Sequence, residues 1–284
     1  MKGRYFYYVL GEKLARVLPK PAAFFLAGFF SRWYACWAVG DLEAAASNLK
    51  AVMPDVSSGE LRRLAGKIIR AFSYYLTDLF YSYRLSPDFI RRNVTIHGRE
   101  RLDEALSGGK GAILASAHVG NWEMGGMTLT EMGYPVHVIA LRHQDPKVDK
   151  IFCDRRARHG LKIIRVGESL RPCYEVLERN EVLAFNADRL FGREGIPVLF
   201  FGREVLFPKG LSRFGLKTGA PVLPVFFTAL GSGRYLLDIG EPFLSSDELD
   251  LTQQFASRLE EKIKQFPCQW FIFQRFWEVP EWPA

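Results

Sequence analysis

Cysteine is scarce and unpatterned in this sequence: Cys36, Cys153, Cys173 and Cys268 are the only four in 284 residues, far apart and without a C-x-x-C pair. Neither a zinc site nor a disulfide framework is expected, and a reducing compartment fits best. A G-x-S-x-G elbow is absent, and no cysteine has a neighbouring signature of covalent catalysis, so an obvious protein nucleophile is missing. No apolar run reaches the roughly 20 residues that span a bilayer; the most apolar segment, PAAFFLAGFFSRWYACWAVG, is interrupted at Arg32 after about ten residues. No helix-turn-helix, zinc finger or aromatic-basic sheet signature occurs, and the basic residues are scattered among acids, which argues against nucleic acid as a partner. Repeats, low-complexity tracts and Pro-, Gly- or Ser-rich linkers are also missing.

What is abundant is aromatic and basic. Hydrophobic residues make up 48% and aromatic residues 14%, with 23 phenylalanines, more apolar surface than a core alone needs. The formal charge of +7 and a pI near 9.2 favour an acidic partner: an anionic bilayer, a phosphorylated substrate or an acidic carrier protein. Phe6, Val9, Leu10, Leu14, Val17 and Leu18 recur at helical spacing, with basic residues opposite, and no cleavable signal pattern is present. The following apolar segment is expected to lie in a membrane interface, with Trp33, Tyr34 and Trp37 at headgroup level; the alternative is an ordinary buried hairpin.

From Asp41 to about Leu85 the pattern is helical, with a capping box from Ser57 to Glu60. After Gly98 the segments GAILASA, PVHVIAL, LKIIRV, EVLAFNA, IPVLFFG, PVLPVFFTA and GRYLLDIG read as strands, several apolar on both faces. Helical or loop segments separate most of them, and the helix SDELDLTQQFASRLEEKIKQ follows. This predicts an α/β fold, a sheet with helices on both faces. The expected organisation is a helical membrane-associating segment over residues 1–90 and one integrated α/β unit over 91–284.

Chemistry concentrates in GAILASAHVGNWEMGG. His118 ends a predicted strand, and ligands of open α/β sheets bind beyond the carboxyl ends of strands. Glu123 follows five residues later, about 140° away on a continuous helix, so the pair cannot share a helical face. Gly120 and Asn121 suggest instead a tight turn that returns Glu123 from the first turn of a helix. A carboxylate there could accept a bond from one ring nitrogen and raise the basicity of the other. With no protein nucleophile, such a base would act on a bound hydroxyl, as in acyl transfer from a thioester, and the site would then need charge or amide donors for an oxyanion. Taken bare, H-x-x-x-x-E recurs by chance and a strand-end histidine also serves structurally; a zinc reading lacks the H-E-x-x-H spacing and a third ligand.

The block HVGNWEMGG resembles the signature of the late acyltransferases of lipid A biosynthesis, within the lysophospholipid acyltransferase superfamily. The resemblance continues through SNLKAVMPD, RARHGLKII, LAFNADRLFGREGIPVLFFG, FPKGLSRFGLKTGAPVLPVF and FPCQWFIFQRFW, in order over most of the chain. It implies a glycerol-phosphate-acyltransferase-like fold with a central, mostly parallel mixed sheet. His118 would be the general base and Glu123 its orienting partner. The acyl donor would be an acyl carrier protein, less often coenzyme A, and the acceptor a hydroxyl of a membrane glycolipid at the cytoplasmic face of the bacterial inner membrane. No metal or bound cofactor is implied. Arg156 and the Asp188–Arg189 pair match further family positions, expected to bind substrate or support the site; a surface salt-bridge network is the alternative. Lys209 and Gly210, at a predicted helix start, are candidates to receive a phosphate, with a plain helix cap as the alternative. Other family acceptors, such as phosphatidylinositol mannosides and lysolipids, are not separated by these residues.

Overall fold

The computed structural model describes residues 4–167, 169–190 and 194–278. Four helices come first: α1 (Arg4–Val17), α2 (Lys20–Trp37), α3 (Val39–Val52) and α4 (Ser58–Phe80). The Ser57 hydroxyl caps α4 by accepting from the Glu60 N–H at 3.3 Å, as its capping box predicts. The chain then runs α5 (Pro87–Asn93), β1 (Val94–His97), α6 (Arg99–Ser107), β2 (Ala112–Ser116), α7 (Trp122–Glu131), β3 (Val136–Ala140), α8 (Pro146–Arg158) and β4 (Lys162–Arg165). It continues through α9 (Arg171–Glu178), β5 (Val182–Asn186), β6 (Ile196–Phe200), β7 (Arg203–Phe207), α10 (Gly210–Thr218), β8 (Val222–Gly231), β9 (Arg234–Ile239) and α11 (Glu248–Gln265).

Seven strands form one sheet in the order β1-β9-β8-β2-β5-β3-β4. Every neighbouring pair is parallel except β8–β9. The mostly parallel, mixed α/β sheet inferred from the strand pattern is therefore present. Its central strand β2 is buried along its whole length, and the reason is alternation. Ile113 and Ala115 enter a core shared with Phe255 and Leu259 of α11. Ala112 and Leu114 enter the opposite core with Met124 and Met127 of α7 and Phe152 of α8.

Three details depart from the sequence reading. β1 precedes Gly98, where strand texture was expected to begin; with four residues, two of them Thr95 and His97, it is too short and polar to register as a strand. β6 was expected in the main sheet but pairs only with β7. Phe201 and Gly202 join these two strands with φ of 51° and 71°, the left-handed pair that a two-residue hairpin turn requires. The hairpin packs through Val198, Phe200 and Phe207 on the α11 core and on Trp270, Phe276 and Trp277. β7 itself begins with Arg203 and Glu204, charges that hide it from a hydrophobicity reading.

α3 and α4 bury their large apolar side chains, but α2 turns most of its own outward. α2 buries Gly28 and Ser31. A Cβ on Gly28 would lie 2.7 Å from the Tyr74 hydroxyl of α4. Outward, Phe25, Phe29, Trp33 and Trp37 are 74%, 61%, 66% and 77% exposed. No single helix among the described residues is long and apolar enough to cross a membrane; α2 and α3 pass by length and composition only as a pair bent by 94°. At its N-terminal end α2 is tied to the sheet by Lys20, whose ammonium lies 2.8 Å from Asp78 and 3.1 Å from the Tyr235 hydroxyl. Tyr235 in turn donates to Asp78 at 2.6 Å.

Beyond β2, Gly120 has φ of 68° and lies so close to β8 that a Cβ would sit 2.1 Å from the Phe227 carbonyl oxygen. Gly120→Ala is expected to cost about 1–3 kcal/mol from backbone strain alone and more from the clash. Gly133→Ala, at φ of 96° with nothing within 4 Å, should cost less. Urea midpoints at unchanged m-value measure the difference.

Candidate active site

The parallel register of β2 and β5 pairs Ser116 with Asn186. The Ala187 N–H still bonds the Ser116 carbonyl at 2.8 Å, so the two chains leave the sheet side by side. Two residues further along each chain stand His118 and Asp188. Asp188 Oδ2 accepts from the His118 backbone N–H at 2.9 Å, and Oδ1 lies 2.8 Å from the ring Nδ1. The Trp270 indole N–H reaches Oδ2 at 3.4 Å. Asp188 is fully buried, so these donors replace its lost hydration. A carboxylate at this position selects the tautomer with the proton on Nδ1 and leaves Nε2 as the basic atom.

The loop that carries the imidazole is fastened on two sides. The His118 carbonyl accepts from the Phe271 N–H at 2.7 Å, and the Gly120 N–H donates to the Gln269 carbonyl at 2.8 Å. On the other side the Asn121 N–H donates to the Phe227 carbonyl of β8 at 2.7 Å. The Asn121 side chain then caps α7 by accepting from the Met124 N–H at 3.1 Å. Trp122 meets the imidazole edge to face, ring centroids 4.9 Å apart.

Glu123 sits in the first turn of α7, as its spacing suggests, but it does not bond His118. It forms a buried two-pronged pair with Arg156 of α8, Nε to Oε2 at 2.8 Å and Nη2 to Oε1. The ring-nitrogen bond expected of Glu123 is made by Asp188 instead, a residue expected from the sequence to bind substrate or support the site. Burial by itself lowers the Arg156 pKa; the charge and hydrogen bonds of Glu123 outweigh it, and the net shift is upward. Burial, and then the Glu123 charge, push the Tyr75 phenol upward. Tyr75 stacks on Trp122 at 4.8 Å and so belongs to the same cluster.

His118 is part of the wall of a cavity of about 700 Å³. Glu123, Arg156, Arg189, Lys209 and Gly210 also line it, whereas Asp188 lies behind the imidazole. The remaining wall is largely apolar and aromatic, including Phe72, Phe152, Tyr174, Phe185 and Phe214. Arg189 is partly buried: desolvation lowers its pKa and the neighbouring Asp188 charge opposes the fall. Lys209 is the residue just before α10, where a helix start was expected, and its ammonium bonds Glu194 at 2.7 Å. His143, which the sequence reading passed over, also lines the cavity and stacks on Phe152 at 4.3 Å. Burial, and then the Arg156 charge, lower its pKa, which favours the neutral ring. His143 lies on no strand and in no patterned block, so nothing in the sequence marks it.

A protein nucleophile is not in place beside the imidazole. All four cysteines are free thiols and none lines this cavity. Burial pushes the Cys173 thiol up to about 11, away from the thiolate. Ser116 lines the cavity but makes no hydrogen bond to His118. Among the described residues, no group of three or more His, Cys, Asp or Glu side chains converges in a way that would hold a metal ion.

The imidazole thus stands just beyond a strand, in the wall of a largely apolar cavity, and comparison with known proteins gives the family. Residues 2–278 match the model of the bacterial lipid A biosynthesis acyltransferases, and the chain belongs to that family. A phosphatidylinositol mannoside acyltransferase of Mycobacterium tuberculosis is 28% identical over 278 residues, covering 95% of this chain and 87% of that protein. One from Mycolicibacterium smegmatis is 27% identical over 275 residues, covering 95% and 90%. A lipid A biosynthesis acyltransferase of Haemophilus influenzae is 23% identical over 244 residues, covering 85% and 76%. The resemblance read from the HVGNWEMGG block and its companions is thus borne out at the level of family and of acyl transfer.

The Glu123–Arg156 pair should behave as a buried ion pair. Glu123→Ala or Arg156→Ala alone is expected to cost about 3–5 kcal/mol by stranding the other charge. The double variant Glu123→Ala/Arg156→Ala should lose clearly less than the sum of the two single losses, and a chemical-denaturation double-mutant cycle over wild type and the three variants checks it.

Proposed function

We propose that the protein transfers a fatty acyl chain from an acyl thioester to a hydroxyl of a membrane glycolipid, with His118 as general base and Asp188 as its positioning carboxylate. The observation that carries this reading is the 2.8 Å contact of Asp188 with Nδ1, which leaves Nε2 for chemistry in a site without a protein nucleophile. Nε2 takes the proton of the acceptor hydroxyl as its oxygen attacks the thioester carbonyl. The oxyanion of the tetrahedral intermediate needs a positive partner, and Arg189 in the same wall is the candidate. Collapse breaks the carbon–sulfur bond, and the imidazolium returns its proton to the leaving thiolate, giving ester and free thiol. Asp188 stabilises the imidazolium between these two steps. Glu123 and Arg156 act one layer away: their pair ties the start of α7 to the last turn of α8 and so shapes the cavity beside Trp122.

The apolar wall suits the acyl chain, and Lys209 with the amide of Gly210 suits a phosphate of the donor or acceptor. Acyl carrier protein is the donor we favour, because a chain of net charge +7 attracts an acidic partner. Two glycolipid acceptors are in view. The family description favours a lipid A precursor, and the 27–28% identity with the mycobacterial enzymes favours a phosphatidylinositol mannoside. Attachment to the cytoplasmic face of the inner membrane would use the outward aromatic face of α2, which has no protein partner to cover it.

Transfer of a labelled acyl chain from carrier protein or coenzyme A to both acceptors tests the chemistry. His118→Ala is expected to lower turnover by roughly 10²–10⁴-fold, and Asp188→Asn to lower kcat with little change in KM. Full activity in His118→Ala would defeat the assignment. For attachment, Trp33→Ser/Trp37→Ser should reduce partition onto phosphatidylcholine vesicles in a flotation assay, since both side chains are exposed and their loss leaves the core intact.

A further inference from the structure

A second cavity, of about 390 Å³, opens where α1 meets α8 and the end of α4. It is lined by Glu12, Arg16, Phe80, Tyr83, Arg155 and Arg158, none of which belongs to the cavity around His118. Three guanidinium groups therefore face one carboxylate. Glu12 Oε1 is shared, 3.2 Å from Arg16 and 3.6 Å from Arg155. Arg158 has no hydrogen bond or ion pair among the described residues, so the cavity carries uncompensated positive charge.

One of the three charges is built into the fold, while Arg16 and Arg158 are exposed. Arg155 is buried and anchored from behind: its Nη1 donates to the Leu79 carbonyl at 2.9 Å and the Phe80 carbonyl at 3.3 Å. The guanidinium also lies over the Phe80 ring at 5.5 Å. Holding a buried cation beside two more costs free energy, and the strain is visible: desolvation first, and then Arg158 and Arg16, lower the Arg155 pKa against the pull of Glu12. A doubly hydrogen-bonding, oxygen-rich anion would relieve it, since guanidinium forks match phosphate geometry. The helix that supplies Glu12 and Arg16 also exposes Phe6, Leu10, Leu14 and Val17 on another face.

We propose that this cavity receives the phosphate of an anionic membrane phospholipid, whose chains lie against the exposed face of α1. It would set the depth and orientation of the enzyme on the bilayer, separately from acyl transfer. The lipid source rests on the membrane attachment proposed above.

Flotation at fixed ionic strength on phosphatidylcholine vesicles, with and without phosphatidylglycerol, tests it. Wild type is expected to prefer the phosphatidylglycerol vesicles. Arg158→Ala and Arg16→Ala should each lose about fivefold in partition on them and nothing on pure phosphatidylcholine. Arg84→Ala removes a neighbouring arginine that lies over Tyr81 and Tyr83, outside the cavity lining, and should change little. If Arg84→Ala weakens binding as much as Arg158→Ala, the attraction is a diffuse basic surface and the proposal falls. If neither Arg158→Ala nor Arg16→Ala weakens it, the proposal falls while attachment stands. Failure of wild type to bind either vesicle would instead sink the attachment reading and the lipid source together. Thermal melting with inorganic phosphate, without vesicles, separates the remaining source. A phosphate-induced rise in Tm that Arg158→Ala abolishes, with vesicle partition unchanged, would make this a soluble-phosphate site and overturn the lipid assignment.

Discussion

The parallel ladder between β2 and β5 is the constraint on which the site depends. Its register pairs Ser116 with Asn186, and the same offset carried two residues beyond the ladder brings His118 to Asp188. A slip of one residue would move one partner by about 3.3 Å and turn its side chain to the other face of the sheet. The register is well guarded: β2 is buried on both faces, so a slip would drive each of its side chains into the wrong core. Beyond the ladder, β8 and the segment around Phe271 hold the His118 loop from both sides. The placement of the imidazole therefore comes from the middle of the fold.

Two buried carboxylates stand within this small region, and each is committed to a different task. Asp188 is held by donors that include the His118 backbone and the Trp270 indole, which fix its carboxylate against the imidazole. Glu123 is matched by a guanidinium, and that pair joins two helices around the cavity. A buried charge without such a match would cost several kcal/mol. Had Glu123 turned to His118, Arg156 would have been stranded. The division of labour is thus an electrostatic consequence of where α8 packs.

The periphery follows a different logic. α2 approaches α4 through Gly28, Ser31 and Phe24, which stacks on Tyr74, while Phe25, Phe29, Phe30, Trp33 and Trp37 face outward. An exposed face of large apolar side chains reverses the usual amphipathic order. A basic cavity lies between α1, α8 and the end of α4, apart from the cavity that His118 lines. Binding to a bilayer and acylating a lipid would then call on separate parts of one chain.

Much of the fold was legible because its cause is local. Apolar strands separated by helical stretches declare an α/β sheet, and the Ser57 capping box marks the start of α4. What escaped notice was short or charged: β1 with Thr95 and His97, and β7 behind Arg203 and Glu204. The site was legible to the same degree. Position near a strand end singled out His118 as a candidate, and the structure places it in the wall of the larger cavity. Its carboxylate partner was not legible, since Asp188 lies 70 residues away and only the strand register brings it near. By itself, then, the sequence determined most of the strands and helices and that His118 follows one of the strands closely, because those depend on periodicity and turn chemistry. The tertiary structure decided which carboxylate meets the imidazole and which meets Arg156, because a charge in a low-dielectric interior goes to whatever partner packing places beside it.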